Sequence, residues 1–412
     1  MYKRQELARV ALTVLVFQRT DSALLSAITF AISYLPQFLG GPVLSALADR
    51  LPRHRVLIAS DVVRAVLVAV MALPGMPLGV LLGLLLLVSL ANPPFESARS
   101  ALMADVLDGD RYAVATSLTG VTSQVSQLVG FVLGGALMVA GSASGALLLN
   151  AATFLVSALW LRASLVRRPA PAGDGTPTTI WADTVGGIRF LAGSSRLVAI
   201  IVVVWTAALL STAPEGIAAA WAAELGGGST ATGVLLAAYP AGTTVAGLAL
   251  ARLVSPRTRD RLMPPLVVLS LAGVLAAGLV SRWAGTGGTA LALTVAVMLL
   301  GGIGGACAIP LNVSFVQGVP AAFRGRAMGV AIAGLWGVQG LGAVLAGVGA
   351  QLWRPSTVVA AAGAIGLLVV AAPLAHLART APAAGAAPEP GGDAADPDPL
   401  TEPADAEGRS GS

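Results

Sequence analysis

The amino-acid sequence predicts an all-α polytopic membrane protein, and three features carry that prediction. Hydrophobic residues make up 56% of the 412-residue chain and charged residues only 11%, with a mean hydropathy of +0.83. A water-soluble domain carries about a quarter charged residues. The apolar residues fall in runs of bilayer length, and about a dozen fit in the chain at ~20 residues per span. Arginines gather in alternate connections: one set holds Arg50, Arg53, Arg55, Arg111, Arg162, Arg167, Arg168, Arg257, Arg259, Arg261 and Arg324, the other only Arg19, Arg282 and Arg354. Short basic loops stay in the cytoplasm. The expectation is therefore twelve spans in a cell membrane, inner or plasma, with both termini cytoplasmic.

Taken in order, the first span, Glu6 to Gln18, offers only about 13 apolar residues, roughly 20 Å of helix against a hydrocarbon core of about 30 Å. It is expected to be truncated, with the reading frame beginning upstream. Span 2 runs from about Ser22 to Leu47 and contains Pro36, Gly40, Gly41 and Pro42, a kinkable stretch. Span 3 covers about Val56 to Leu73, span 4 Leu78 to Met103, span 5 Tyr112 to Ala140 and span 6 Ala146 to Leu165. The longer connection that follows places Ile180, Trp181, Val185, Ile188 and Leu191 at near-helical spacing. That pattern predicts an amphipathic helix on the membrane surface. Beyond it, span 7 runs from Leu197 to about Ala219, span 8 from Ala231 to Val254 and span 9 from Leu262 to Val280. Span 10 covers about Thr289 to Val319, span 11 Arg326 to Gly349 and span 12 Thr357 to His376. The run starting at Pro94 has a counterpart starting at Pro310, each passing from a span through a charged turn into a Gly- and Gln-bearing span. The expected division is an amino-terminal six-helix bundle (1–165), a linker (166–196), a carboxyl-terminal six-helix bundle (197–379) and a tail (380–412).

Charge is divided unevenly. The tail, rich in Ala, Pro and Gly, holds seven of the twenty carboxylates and only Arg409, a net of −6, so the rest of the chain must carry +11 to give the overall +5. With no apolar period, the tail reads as a disordered cytoplasmic extension. The basic body needs no nucleic-acid partner, because its loop arginines would face anionic lipid headgroups. Cys307, the single cysteine, excludes a disulfide framework and reads as a packing residue. No Walker phosphate loop, nucleophile-and-base set or metal cluster is visible, so no enzyme, cofactor or metal is expected.

The stretch Gly41 to Arg55, GPVLSALADRLPRHR, packs Asp49, Arg50, Arg53, His54 and Arg55 into seven positions between two spans. It resembles the loop between spans 2 and 3 of major facilitator superfamily transporters, Gly-x-x-x-Asp-Arg-x-Gly-Arg-Arg. Ser45 and Pro52 stand where glycines are usual and His54 where an arginine is. Together with PEGIAAAWAAELGGG in span 7 and PAAFRGRAMG before span 11, the chain is similar to the drug and siderophore exporter branch, which includes enterobactin and macrolide exporters. The resemblance implies the major facilitator fold and a substrate path near the bilayer midplane between two bundles. It also implies a latch in which Asp49 meets the amino end of span 11.

Ionisable groups within spans are costly unless paired or placed in a wet cavity, which makes the few present the candidate site. Asp61 and Arg64 on span 3, and Glu96 and Arg99 on span 4, are each three apart and share a helical face. With Asp49, Arg50, Arg53 and Arg55 they form the expected gating latch, a permanent ion-pair clamp being the alternative for Asp61 and Arg64. Glu96, about a turn inward of Asn92, is the first proton-coupling candidate, and Glu215 after Pro214 the second. Arg9, ten residues before Arg19, falls about 15 Å below the surface, where it can meet an anionic substrate or Glu96. Asn92, Gln124, Gln127 and Phe131 of the first half and Asn312 of span 10 complete the cavity set, with helix packing as the alternative role. The run GFVLGG from Gly130 resembles the antiporter motif Gly-Pro-x-x-Gly-Gly, Phe131 replacing its proline. The expected function is proton-coupled efflux of a small apolar or amphipathic compound by a monomer. The alternatives are metabolite uptake or facilitated diffusion, and a non-transporting scaffold or sensor.

Overall fold

The computed structural model describes residues 2–39, 51–107, 109–140, 143–165 and 180–380, and among them the regular elements are helices. In the first half these are α1 (Tyr2–Thr20), α2 (Ala23–Ile32), α3 (Leu35–Leu39), α4 (Arg53–Met71), α5 (Leu78–Leu90), α6 (Asn92–Val106), α7 (Gly109–Ala140) and α8 (Ala143–Ser164). After the linker helix α9 (Ile180–Ala192) come α10 (Ser195–Gly216), α11 (Ala218–Glu224), α12 (Ser229–Leu253), α13 (Pro256–Trp283), α14 (Gly288–Gly305), α15 (Ala308–Gly318), α16 (Ala321–Leu352) and α17 (Pro355–Arg379). Among the described residues, eight segments, counting α5 with α6 and α14 with α15, are long and apolar enough to cross a membrane. The protein is multi-pass.

Four of the predicted spans are divided, and three of the divisions lie just before a proline, whose ring removes an amide donor and crowds the carbonyl four residues earlier. Pro36 follows the break between α2 and α3, Pro93 and Pro94 follow the break at Ala91, and Pro310 follows the break at Ala306–Cys307, whereas Pro214 lies inside α10, ahead of the break at Ile217. Pro94 and Pro310 each occupy the third position of the segment after the break, so the repeat seen in the sequence recurs as one shape. The first helix differs from its expected length: α1 has 19 residues and continues back through the polar Tyr2–Gln5. Hydropathy marks where lipid-compatible side chains stop, whereas the backbone ladder continues through polar residues. The linker helix forms over Ile180–Ala192 as its spacing predicts, but it packs against the start of α16. Phe190 stacks on Phe323 at 4.8 Å and 9°, and a methyl on Gly187 would stand 2.8 Å from the Arg326 carbonyl oxygen.

Cross-links between turns identify two ends of the bundle. At one, Arg19 donates to the Met76 carbonyl (3.0 Å), Gln351 donates to the Ser22 hydroxyl (3.1 Å), and the Gly287 amide donates to the Leu225 carbonyl (2.9 Å). Here too the Glu224 carboxylate accepts from the Ser356 amide (2.8 Å) and hydroxyl (2.6 Å), capping α17 at its positive end. The opposite, basic end carries Arg53, Arg55, Arg111, Arg189 and Arg324.

The halves meet along two seams, α2 with α16 and α7 with α12. Both are tight at the arginine-poor end. A methyl on Gly135 would stand 2.7 Å from the Ser229 carbonyl oxygen and 2.8 Å from the Gly233 Cα, and one on Gly347 would meet the Ala27 Cβ at 2.5 Å. Along the face of α12 that carries Ala237, packed near Phe131 and 6% exposed, Leu248, three turns nearer the basic end, is 40% exposed.

Candidate functional site

Arg9 sits in α1 at the first seam, 6% exposed. The break before Pro36 brings Tyr34 to it: Arg9 Nη1 donates to the Tyr34 hydroxyl at 3.2 Å, and the guanidinium lies 4.9 Å from the centroids of both the Phe30 and Tyr34 rings. Tyr34 in turn packs against Trp336 of α16, with centroids 5.6 Å apart. A cation is thus held by ring faces where the two halves touch. The sequence marks Arg9 but not Phe30, Tyr34 or Trp336. Only the rule that a buried cation needs aromatic or anionic company points to them.

The two i,i+3 pairs of the first half are unlike. Asp61 and Arg64 in α4 pair at 3.4 Å with side-chain exposures of 0% and 1%. Arg64 also donates to the Ala91 carbonyl at the α5–α6 break and lies over the rings of Phe95 (5.0 Å) and Phe154 (5.8 Å). One guanidinium therefore ties α4 to both α6 and α8. Glu96 and Arg99 in α6 pair at 2.7 Å with side chains 28% and 25% exposed. This pair is partly exposed.

Arg53 pairs with Asp105 and donates to the Ala101 carbonyl (3.2 Å), joining the start of α4 to the end of α6. The sequence reading misses Asp105, although its position beside a basic turn is a usable signal. Arg55 is exposed. Asp49 and Arg50 lie outside the described residues.

Glu215 stands beside the α10–α11 break in a small recess lined by Pro214, Ala218, Trp221, Leu235, Tyr239 and Met298. Beneath it the Tyr239 and Ser270 hydroxyls are bonded at 2.7 Å. Asn92 is buried at the α5–α6 break. Gln124 is exposed and Gln127 half-buried on α7, and Asn312 is exposed on α15. Phe131 is wholly buried among Val10, Val14, Ala218, Ala219, Leu236 and Ala237, packing α1 and α7 against the second half. The fold thus brings Arg9 to an aromatic cluster at the seam. It leaves Asp61 and Arg64 in a separate, sealed contact among α4, α6 and α8. Among the described residues no cluster of His, Cys, Asp and Glu has a metal-holding arrangement.

The molecule is thus a set of apolar helices, broken in places, with a few charges buried among them. The sequence profile of the Major Facilitator Superfamily matches residues 7–217, half of the chain, and the protein belongs to that superfamily. Among solved structures, a POT family transporter in complex with 5-aminolevulinic acid is similar with a TM-score of 0.70 at 11% identity, over 92% of this chain and 94% of that one. The peptide transporter POT in complex with sulfate gives 0.68 at 16% identity, over 92% and 93%. A bacterial homologue of the human lysosomal transporter Spinster, in an inward-facing and unoccupied conformation, gives 0.60 at 16% identity, over 92% of each chain. At these identities the likeness shows the fold. Among curated proteins none is a significant match.

Proposed function

We propose that this transporter exports a small apolar or amphipathic compound of the drug or siderophore kind in exchange for protons. The monomer alternates its opening between the two membrane faces, with both termini in the cytoplasm of the cell that bears it. The observation carrying this reading is the contrast between the two ion pairs. The Glu96 carboxylate is partly exposed on a broken span, where a proton can arrive and release Arg99, while the pair formed by Asp61 and Arg64 is locked. The internal repeat puts Asn312, two residues after Pro310, in the place that Glu96 takes two residues after Pro94. Only the first half then has a titratable group at that position. The export cycle loads from the basic, cytoplasmic end. Inside-out vesicles acidified in the lumen are expected to accumulate a fluorescent amphipathic dye, and Glu96→Gln to abolish accumulation. Equal accumulation by both proteins without a pH gradient would overturn proton coupling at Glu96.

A second reading, uptake or facilitated diffusion of an anionic metabolite, is favoured by Arg9, a buried cation at the seam. It requires right-side-out vesicles to take up organic anions, with Arg9→Gln weakening uptake more than tenfold. Dye export with no anion uptake excludes it.

A further inference from the structure

We propose that the acidic carboxyl-terminal segment, residues 381–412, docks on the exposed arginines Arg189 and Arg324 at the basic end of its own chain. The last helix, α17, ends at Arg379 at that end, so the segment departs beside the surface in question. Its length of 32 residues gives a coil-like reach of about 30 Å at roughly 5–6 Å × √n. The segment brings a net charge of −6 against a remainder of +11. Leu400 is its only large aliphatic side chain, so what it offers a partner is carboxylates.

The receiving surface is built by the packing of α9 on α16. Phe190 and Phe323 are stacked, and the residues adjoining them in sequence, Arg189 and Arg324, are both exposed. Neither has an ion-pair partner among the described residues. Arg324 lies in the first turn of α16, where the helix dipole is positive and a cation is disfavoured unless an anion joins it. Tethering supplies that anion at an effective concentration in the millimolar range. Exposed carboxylate–guanidinium contacts are individually weak, so docking depends on several at once and is screened by salt. None of this depends on the substrate or the direction of transport.

Lys3 is the only lysine in the chain, which makes a chemical test specific. Arg324→Lys keeps the charge and introduces an amine. A carbodiimide activates a carboxyl as an O-acylisourea, the amine attacks its carbonyl carbon, and the urea leaves as an amide bond forms. In full-length protein in phosphatidylcholine nanodiscs at low salt, mass spectrometry is expected to find this lysine joined to carboxylates of 381–412. The yield should fall at least fivefold in about 0.5 M salt, where the screening length is only a few ångströms. Arg354→Lys, at the opposite end, is expected to give none, and Lys3 serves as the reference in both. Arg189→Lys repeats the test should Arg324→Lys not fold. Equal yields from the two ends would overturn the proposal. So would a cross-link abolished at low salt by adding phosphatidylglycerol, which would assign the surface to anionic headgroups.

Discussion

The two halves of this transporter hold their helices together by different physics. In the first half, arginines bridge helices: Arg53 joins α4 to Asp105 of α6, and Arg64 joins α4 to the Ala91 carbonyl and the rings of α6 and α8. In the second half, backbones touch where glycines allow it. A methyl at Gly302 would overlap the Tyr239 carbonyl, one at Gly242 the Leu299 carbonyl and one at Gly273 the Gly301 Cα. In contrast, Gly79 and Gly83 of α5 face open space. Without a hydrophobic force between helices in lipid, close backbone packing and polar contacts are the two available adhesives. The difference is one of adhesive: close backbone contact at glycines in the second half, guanidinium contacts and ion pairs in the first.

The largest effect should come from breaking the backbone packing. Gly302→Leu is expected to prevent recovery of a monodisperse protein in fluorescence-detected size exclusion, while Gly83→Leu leaves the elution profile unchanged. Equal tolerance of both would dissolve the contrast between the halves. Next comes Asp61→Asn, which strips the buried Arg64 of its charge partner and should cost about 3–5 kcal/mol in detergent denaturation. The double change Asp61→Leu with Arg64→Met should recover most of that loss, since a buried pair exchanged for apolar packing is near neutral. Failure of the double variant to recover would mean that Arg64 acts chiefly through the Ala91 carbonyl and the rings.

Glu96→Gln sharpens the comparison from the other side. As a partly exposed pair, Glu96 with Arg99 should contribute no more than about 1 kcal/mol to stability, so melting should barely move while pH-driven transport is lost. The smallest effect is expected for Glu224→Gln. Both hydrogen bonds to Ser356 can be partly retained, and the loss of about 0.3–1 kcal/mol reflects the weaker charge at a helix amino end. It is readable as a small decrease in melting temperature, and a drop as large as that of Asp61→Asn would show that this cap, too, is a sealed charge.

Proline alone does not mark a break: Pro36, Pro94 and Pro310 follow one, whereas Pro240, Pro264 and Pro373 lie inside continuous helices. The helices themselves were legible because hydropathy is a local property. The limits of α1 were not, since Tyr2–Gln5 is polar yet helical. For the site, spacing alone paired Asp61 with Arg64 and Glu96 with Arg99, but it could not tell which pair is sealed. Burial there depends on Phe95 and Phe154, the second carried by a helix some ninety residues along the chain. The company of Arg9 was equally hidden, because Trp336 reaches Tyr34 only once α16 is rotated and set at the right depth against α2. The amphipathic period of α9 correctly gave a helix, but an apolar face does not say whether lipid or protein covers it.

The contact between Tyr34 and Trp336 has one practical consequence. The two rings belong to opposite halves, so any rocking that separates α2 from α16 must move an indole away from a phenol and its neighbouring guanidinium. In a variant retaining Trp336 as its sole tryptophan, the emission of that side chain becomes an intrinsic optical gauge of the cycle, readable in native lipid without an attached dye.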